Sequence, residues 1–165
     1  EEALLLGGKT ALMRDGRVTQ FGPTAEIYRN PENVEAARGF SDPPINTATI
    51  TKQGFEARLG DDVRWTLGGA AASLQDGTYT IAIRPHHVVP VAEAAGLVKL
   101  NGRVQVTELS GSESSAHFDL AASGQETYWV SLSHGVHPYE VGELHDFYMD
   151  PRAAYVFAPD GSRVA

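Results

Sequence analysis

Four patterns in the sequence carry residue types that chemistry uses. Gly8-Lys9-Thr10 has the ending of a phosphate-binding loop, in which backbone amides cradle phosphates and a lysine reaches the terminal ones. That loop needs a further glycine where this chain has Ala3, a strand before it and a helix after it. Here Glu1-Glu2-Ala3-Leu4-Leu5-Leu6 reads as the end of a helix closed by Gly7-Gly8, and a strand-like Ala11-Leu12-Met13 follows. Lys9 therefore reads as a solvated loop lysine. The six histidines are His86, His87, His117, His134, His137 and His145. His134 and His137 are three apart, but Pro138 puts them in a loop, and no His-Glu-x-x-His helix exists. No metal centre is expected. Among the serines, only Ser41 has a glycine two before it, and Pro43 stands where the second glycine of a nucleophile turn belongs. Asp61-Asp62 lacks the alternating spacing of a calcium loop and reads as a solvated turn. No catalytic or cofactor-binding residue is expected.

Composition narrows the classes further. The chain of 165 residues has room for one domain, or one plus a fragment. Seventeen glycines and nine prolines exceed the usual share and favour many tight turns, hence a β-rich fold. The net charge of −8 has the wrong sign for a nucleic-acid binder, which draws its affinity from Lys and Arg on phosphates. An anionic membrane surface would repel the chain for the same reason. The absence of cysteine removes disulfides, thiolate zinc sites and thiol nucleophiles together. No apolar run has transmembrane length and no signal peptide opens the chain, so the composition reads as a soluble, acidic, intracellular domain. It begins on Glu1 rather than Met, as a piece of a longer protein would.

The elements that would position any site follow from the turn residues. Asp15-Gly16 between two short strand-like runs predicts a hairpin through a type I′ turn. Thr24 is placed to cap a short helix over residues 25–29, and Asn33 a second over 34–38, ended by Gly39. Ser41-Asp42-Pro43-Pro44 withholds two amide donors and marks a boundary, dividing residues 1–42 from 43–165. Beyond it, strands are expected at 46–51, 55–59, 63–67, 79–84, 97–109, 115–121, 127–133, 144–150 and 154–157. Turn signals such as Gln75-Asp76-Gly77, Ser123-Gly124 and Asp160-Gly161 separate them. The alternation is clearest at Val104, Val106 and Glu108, and at Tyr128 and Val130. Short strands at this spacing predict a barrel or sandwich. Acid is concentrated after the boundary, with net −1 over residues 1–40 and −7 over the remainder.

An ordered series of short strings then resembles one family. The series runs Asp15-Gly16-Arg17-Val18-Thr19-Gln20-Phe21-Gly22, Glu26-Ile27-Tyr28-Arg29-Asn30-Pro31, Gly39-Phe40 and Pro44-Ile45-Asn46. It continues through Ile83-Arg84-Pro85-His86-His87, Glu108-Leu109-Ser110-Gly111-Ser112-Glu113 and Tyr148-Met149-Asp150-Pro151 to Phe157-Ala158-Pro159-Asp160-Gly161. Over essentially its whole length the chain resembles the ATP-binding subunits of bacterial carbohydrate ABC importers of the maltose and glycerol-phosphate type. The resemblance implies a mainly β fold: an OB-like, transport-associated barrel preceded by a β-hairpin and two short helices. Residues 1–42 would be the tail of the nucleotide-binding domain, and residues 43–165 the regulatory domain. The ATP motifs would lie upstream of Glu1, so that MgATP belongs to the full-length subunit and this piece is not itself an enzyme.

The resemblance also implies a homodimer through the C-terminal domain, transmembrane permease subunits as partners of the full-length ATPase, and a place on the inner face of the cell membrane. Arg84, Pro85, His87, Ser112 and Glu113 become the expected regulatory and interdomain surface. Two positions depart from the family. His86 stands where glutamate is usual, which bears on an ion pair, and Val130-Ser131 stands where many members have an arginine. A rival reading makes the barrel a small-ligand module, with an oxyanion or sugar received by the amides and hydroxyl of Gly111-Ser112.

Overall fold

Asp15 and Gly16 both take positive φ, 52° and 75°, as a type I′ turn requires. They fold β2 (Lys9–Arg14) back on β3 (Arg17–Pro23), the expected hairpin. The computed structural model describes residues 2–6, 8–39, 43–120 and 128–165. The opening residues depart from expectation: Glu2–Leu6 is a strand, β1, paired antiparallel with β2 from Glu2↔Met13 to Leu6↔Lys9. Six residues are too few to repay helix nucleation, whereas the free edge of β2 offers backbone partners at once. Gly8, at φ 79°, makes the reversal between them.

Helix α1 (Thr24–Arg29) begins one residue earlier than expected, with Pro23 at the cap position. Thr24 is thus not the cap. Its hydroxyl bonds the Gly8 carbonyl at 3.3 Å and Thr10 Oγ1 at 2.7 Å, fastening the helix to the β1–β2 turn. Asn33 does cap α2 (Val34–Gly39), its Oδ1 accepting from the Ala36 N–H at 2.7 Å. Ala36 and Ala37 then face two different cores. Ala36 packs with Leu12 and Ile27 under the hairpin, and Ala37 with Ile45, Ala82 and Phe157 on the barrel. Leu12 is therefore fully covered, while Val18 and Phe21 of the same hairpin are exposed.

The barrel is made of two five-stranded antiparallel sheets. The first runs β11 (Tyr128–His134), β10 (Glu113–Leu120), β9 (Val98–Ser110), β12 (Leu144–Met149) and β8 (Val88–Val89). The second runs β13 (Tyr155–Phe157), β7 (Gly77–Ile83), β4 (Asn46–Gln53), β5 (Glu56–Leu59) and β6 (Val63–Thr66). The strands expected from the sequence are all present, within a few residues at their ends; β8 was unforeseen. The Ser123-Gly124 turn and the Ser41-Asp42 half of the boundary lie outside the described residues.

Inner faces of both sheets share one apolar core around Ile50, Leu59, Ile81, Leu100, Phe118, Trp129, Phe147 and Met149. Phe118 and Phe147 stack with centroids 4.0 Å apart. Gly102 makes room for that stack, since a Cβ there would run into the Phe118 ring and lie 2.9 Å from the Asp119 carbonyl. Side chains close the seam between the sheets. Asn46 accepts from the Val130 N–H at 2.6 Å and donates to its carbonyl at 2.9 Å. Trp129 Nε1 donates to the Thr47 carbonyl and Ser131 Oγ to the Val88 carbonyl. These bonds satisfy buried backbone groups where no strand partner stands. They also set the faces of β11: Trp129 and Ser131 point inward, and Tyr128 is exposed.

The alternation along β9 holds only to Val104. A register shift opposite His117 and Phe118 leaves Gln105 over, and pairing with β12 ends at Arg103↔Leu144. From Gln105 to Glu113 every residue is exposed, Val106 among them. The β9 side of the β9–β10 hairpin and its tip thus form an exposed arm beyond the end of β12, while Ser114, Ser115 and Ala116 on the β10 side are buried and paired with β11.

Candidate functional site

Arg84 leaves β7 in extended conformation, and Pro85 opens a single 3₁₀ turn, Pro85–His87. A guanidinium is costly to bury unless its face and its N–H groups are both used. Arg84 is 4% exposed. Its guanidinium lies 3.7 Å from the Tyr28 ring centroid, and Nη2 donates to the Tyr28 carbonyl at 2.7 Å. On the far side Tyr155 has the Arg84 guanidinium at 5.9 Å and that of Arg163 at 5.0 Å, and its hydroxyl donates to the Arg29 carbonyl. Cations and rings thus alternate from α1 to the end of the chain. Backbone bonds reinforce the contact: Val34 N–H to the Gly161 carbonyl, and Arg163 N–H to that of Glu32. Helix α1 and its neighbours are pinned to the barrel at one continuous junction.

Pro85 is buried in this junction, and His86 and His87 flank it with ring centroids 4.1 Å apart. Burial is the main reason both imidazoles are held below their ordinary pKa; the neighbouring Arg84 adds to the effect, and Asp150 opposes it at His87. The Asp150 carboxylate is itself lowered by hydrogen bonds from Arg152. A shallow cavity of about 150 Å3 opens here between Tyr28, Arg84, His86, His87 and Tyr155.

Ser112 and Glu113 lie elsewhere, on the tip of the arm. Gly111, at φ 59°, makes the turn, and the Ser112 carbonyl accepts from the Gly135 N–H at 2.6 Å. Ser114 Oγ braces the base by donating to the Gly135 carbonyl. Both side chains at the tip remain exposed. The expected site residues therefore fall into two groups at different heights along β11. Ser131 bonds Val88 beside the Pro85–His87 turn, whereas Glu113 pairs with His134, three residues on. The Gly111-Ser112 turn has no enclosing wall, and Glu113 follows it directly, a poor setting for an anion.

Tyr28, Tyr155, Arg163 and Asn46 make contacts at the junction and the seam that sequence reasoning did not single out. Tyr28 and Asn46 lie inside the recognised strings, and their partners are 56 and 84 residues away. His137 Nε2 bonds the His134 carbonyl at 2.9 Å. Among the described residues no group of three or more His, Asp or Glu side chains is placed to hold a metal ion. No helix of the described residues is long and apolar enough to cross a membrane.

Residues 81–157 match the TOBE domain, an OB-like fold. The chain is 31% identical over 165 residues to the sn-glycerol-3-phosphate import ATP-binding protein of Ruegeria sp. (strain TM1040), covering 99% of this chain and 44% of that protein. It is 30% identical over 168 residues to the maltose/maltodextrin import ATP-binding protein of Salmonella typhimurium, covering 98% and 44%. With the xylose/arabinose import ATP-binding protein of Haloferax volcanii the identity is 26% over 149 residues, covering 86% and 37%. The chain spans less than half the length of these relatives, and the matched parts are their C-terminal regions.

Proposed function

The chain carries a TOBE domain within a region similar to the C-terminal part of carbohydrate import ATP-binding subunits, and from that premise we propose that it is the regulatory and dimerisation region of such a subunit. The transported compound would be a sugar, a polyol or glycerol phosphate; the relatives' names state glycerol 3-phosphate, xylose or arabinose, and maltose or maltodextrin. On this reading residues 1–42 are the tail of the nucleotide-binding domain and residues 43–165 the regulatory barrel. MgATP acts in the preceding part of the full-length subunit, which docks on transmembrane permease subunits at the inner face of the membrane.

One observation carries the proposal: a barrel pinned to the preceding segment by the buried Arg84 also presents an arm whose β9 side and tip, residues 105–113, are exposed. The pin makes the barrel move with the segment it follows. The arm, with Val106 and Leu109 exposed and no β12 partner beyond Arg103, gives a second copy something to grip. Two barrels joined so would hold the ATPase halves together at their far ends while they open and close, raising their local concentration.

Sedimentation velocity of the chain at about 100 μM, a concentration suited to micromolar association, tests the dimer. Each chain carries −8, so salt should screen the repulsion and tighten association. A symmetric dimer that strengthens with salt and is weakened by Leu109→Asp is expected. A strict monomer at low and high salt would sink the dimerisation role. Titration with MgATP at millimolar nucleotide should give no saturable heat; saturable heat would place the nucleotide site in this chain.

A further inference from the structure

Between the β6–β7 connection and the last residues of the chain lies a cavity of about 620 Å3, within the range of small-molecule sites. Its lining combines apolar Trp65, Leu67 and Ile81 with Arg152, Tyr155 and Arg163. No Asp or Glu side chain lines it. In a chain of net −8 that is a marked reversal, since acid outnumbers base by 21 to 13 in the whole sequence. Arg152 and Arg163 both line this space, with the Asp150 carboxylate just beyond it bonded to Arg152 Nε and Nη2. Arg152 shares its charge with Asp150, 2.9 Å away. Arg163 is oriented by the Tyr155 ring and by its Nε bond to the Ala165 carbonyl. The connection Gly68-Gly69-Ala70 is exposed along the rim, with Gly69 at φ 59°. No bulky side chain covers its backbone, and the Ala70 carbonyl accepts from Ser73 Oγ at 3.0 Å.

We propose that this cavity binds a small phosphorylated sugar or polyol, its carbon face against Trp65 and its phosphate on Arg163 and Arg152. A planar guanidinium matches phosphate oxygens two at a time. An indole face packs against C–H groups, and the glycine rim can pair with hydroxyls through its backbone. Neither half suffices by itself: the apolar wall discriminates against bare phosphate, and the arginines against an uncharged sugar. The site lies away from the Gly111-Ser112 turn. It shares Tyr155 and Arg163 with the junction, so a bound ligand would bridge the β6–β7 connection to the residues that pin α1 to the barrel.

Isothermal titration of the 165-residue chain with glucose 6-phosphate and with glycerol 3-phosphate tests the proposal. Saturable binding of at least one is expected. Glucose and inorganic phosphate should each bind at least about tenfold more weakly than the phosphorylated compound. Arg163→Gln and Trp65→Leu should each weaken binding by about tenfold or more. Should either variant fail to melt cooperatively, Arg152→Gln replaces it, because that side chain is 71% exposed and its side-chain bonds run to Asp150, two residues away. The proposal is overturned if neither compound saturates by about 10 mM, if the folded variants bind like the parent chain, or if inorganic phosphate binds as tightly as the sugar phosphates. None of these results depends on ATP or on dimerisation, so the site and the regulatory reading stand or fall separately.

Discussion

The junction around Arg84 and the arm at Ser112-Glu113 come from strings of the same kind: a short motif, a proline or glycine, a charged residue. The fold treats them oppositely. Arg84 is enclosed by Tyr28, Tyr155 and the Tyr28 carbonyl, and Pro85 is buried with it. Ser112 and Glu113 sit on a turn whose backbone is braced by Gly135 while their side chains face outward. The lesson is that a recurring string marks either a contact made within the chain or a contact offered outside it, and only burial tells which. The proposed regulatory role would need both kinds, one to transmit a displacement and one to receive it.

If the junction is scaffold and the arm is presentation, damage should be unequal. The largest loss is expected for Asn46→Ala, at the seam beside the junction. It leaves the buried N–H and carbonyl of Val130 without partners, at about 1–3 kcal/mol each. Urea unfolding should show the drop in midpoint with an unchanged slope. A loss below about 1 kcal/mol would mean that the seam is held by packing alone. Arg84→Met follows, at about 2–3 kcal/mol for the stacked, hydrogen-bonded guanidinium. Arg84→Lys should recover only part of this, because an ammonium cannot stack and bond the carbonyl with the same geometry. Full recovery would show that charge alone is what the junction uses.

A smaller effect is expected from pH. His86 and His87 are held below their ordinary value of 6.5, so the unfolded chain binds protons that the folded one refuses. Stability is then at its full value above pH 6.5 and declines as acid protonates the pair. Replacing both by Asn should flatten the decline just below neutrality; an unchanged pH profile would place the sensitive groups elsewhere. The smallest effect belongs to the arm. Ser112→Ala and Glu113→Ala should each change stability by less than about 0.5 kcal/mol. A drop matching that of Arg84→Met would erase the distinction between the two regions.

The strand plan was legible because the turns that separate the strands are written locally: Asp15-Gly16, Gly60-Asp61-Asp62 and Asp160-Gly161 each lie between the runs they divide. Where local chemistry is ambiguous the reading failed. Leu4-Leu5-Leu6 is apolar on every face and suits helix or strand equally, and the edge of β2 decided it. Thr24 has the right side chain for a cap, but the Gly8 carbonyl and Thr10 compete for its hydroxyl. Val106 continues the alternation of β9 in sequence, yet the bulge at Gln105 and the end of β12 carry it out of the core. The junction was legible only in part. Arg84, Pro85 and His87 stand together in the sequence, but Tyr28 and Tyr155 come from opposite ends of it, and no periodicity joins residues so far apart. The same holds for Trp65 and Arg163.

The backbone bonds that join residues 32–34 to residues 161–163 set a schedule as well as a shape. Val34 obtains the Gly161 carbonyl, and Glu32 the Arg163 amide, only after residues 35–160 have been made. Contacts of such long sequence separation close large loops before they return any stabilisation, which slows folding. As residues leave the ribosome in order, the early hairpin and both helices must wait, with Ala37 and Tyr28 lacking their partners on the barrel. Residues 161–163 therefore act as a latch, and disrupting them should leave residues 8–39 open to proteases and to aggregation long before the barrel itself comes apart.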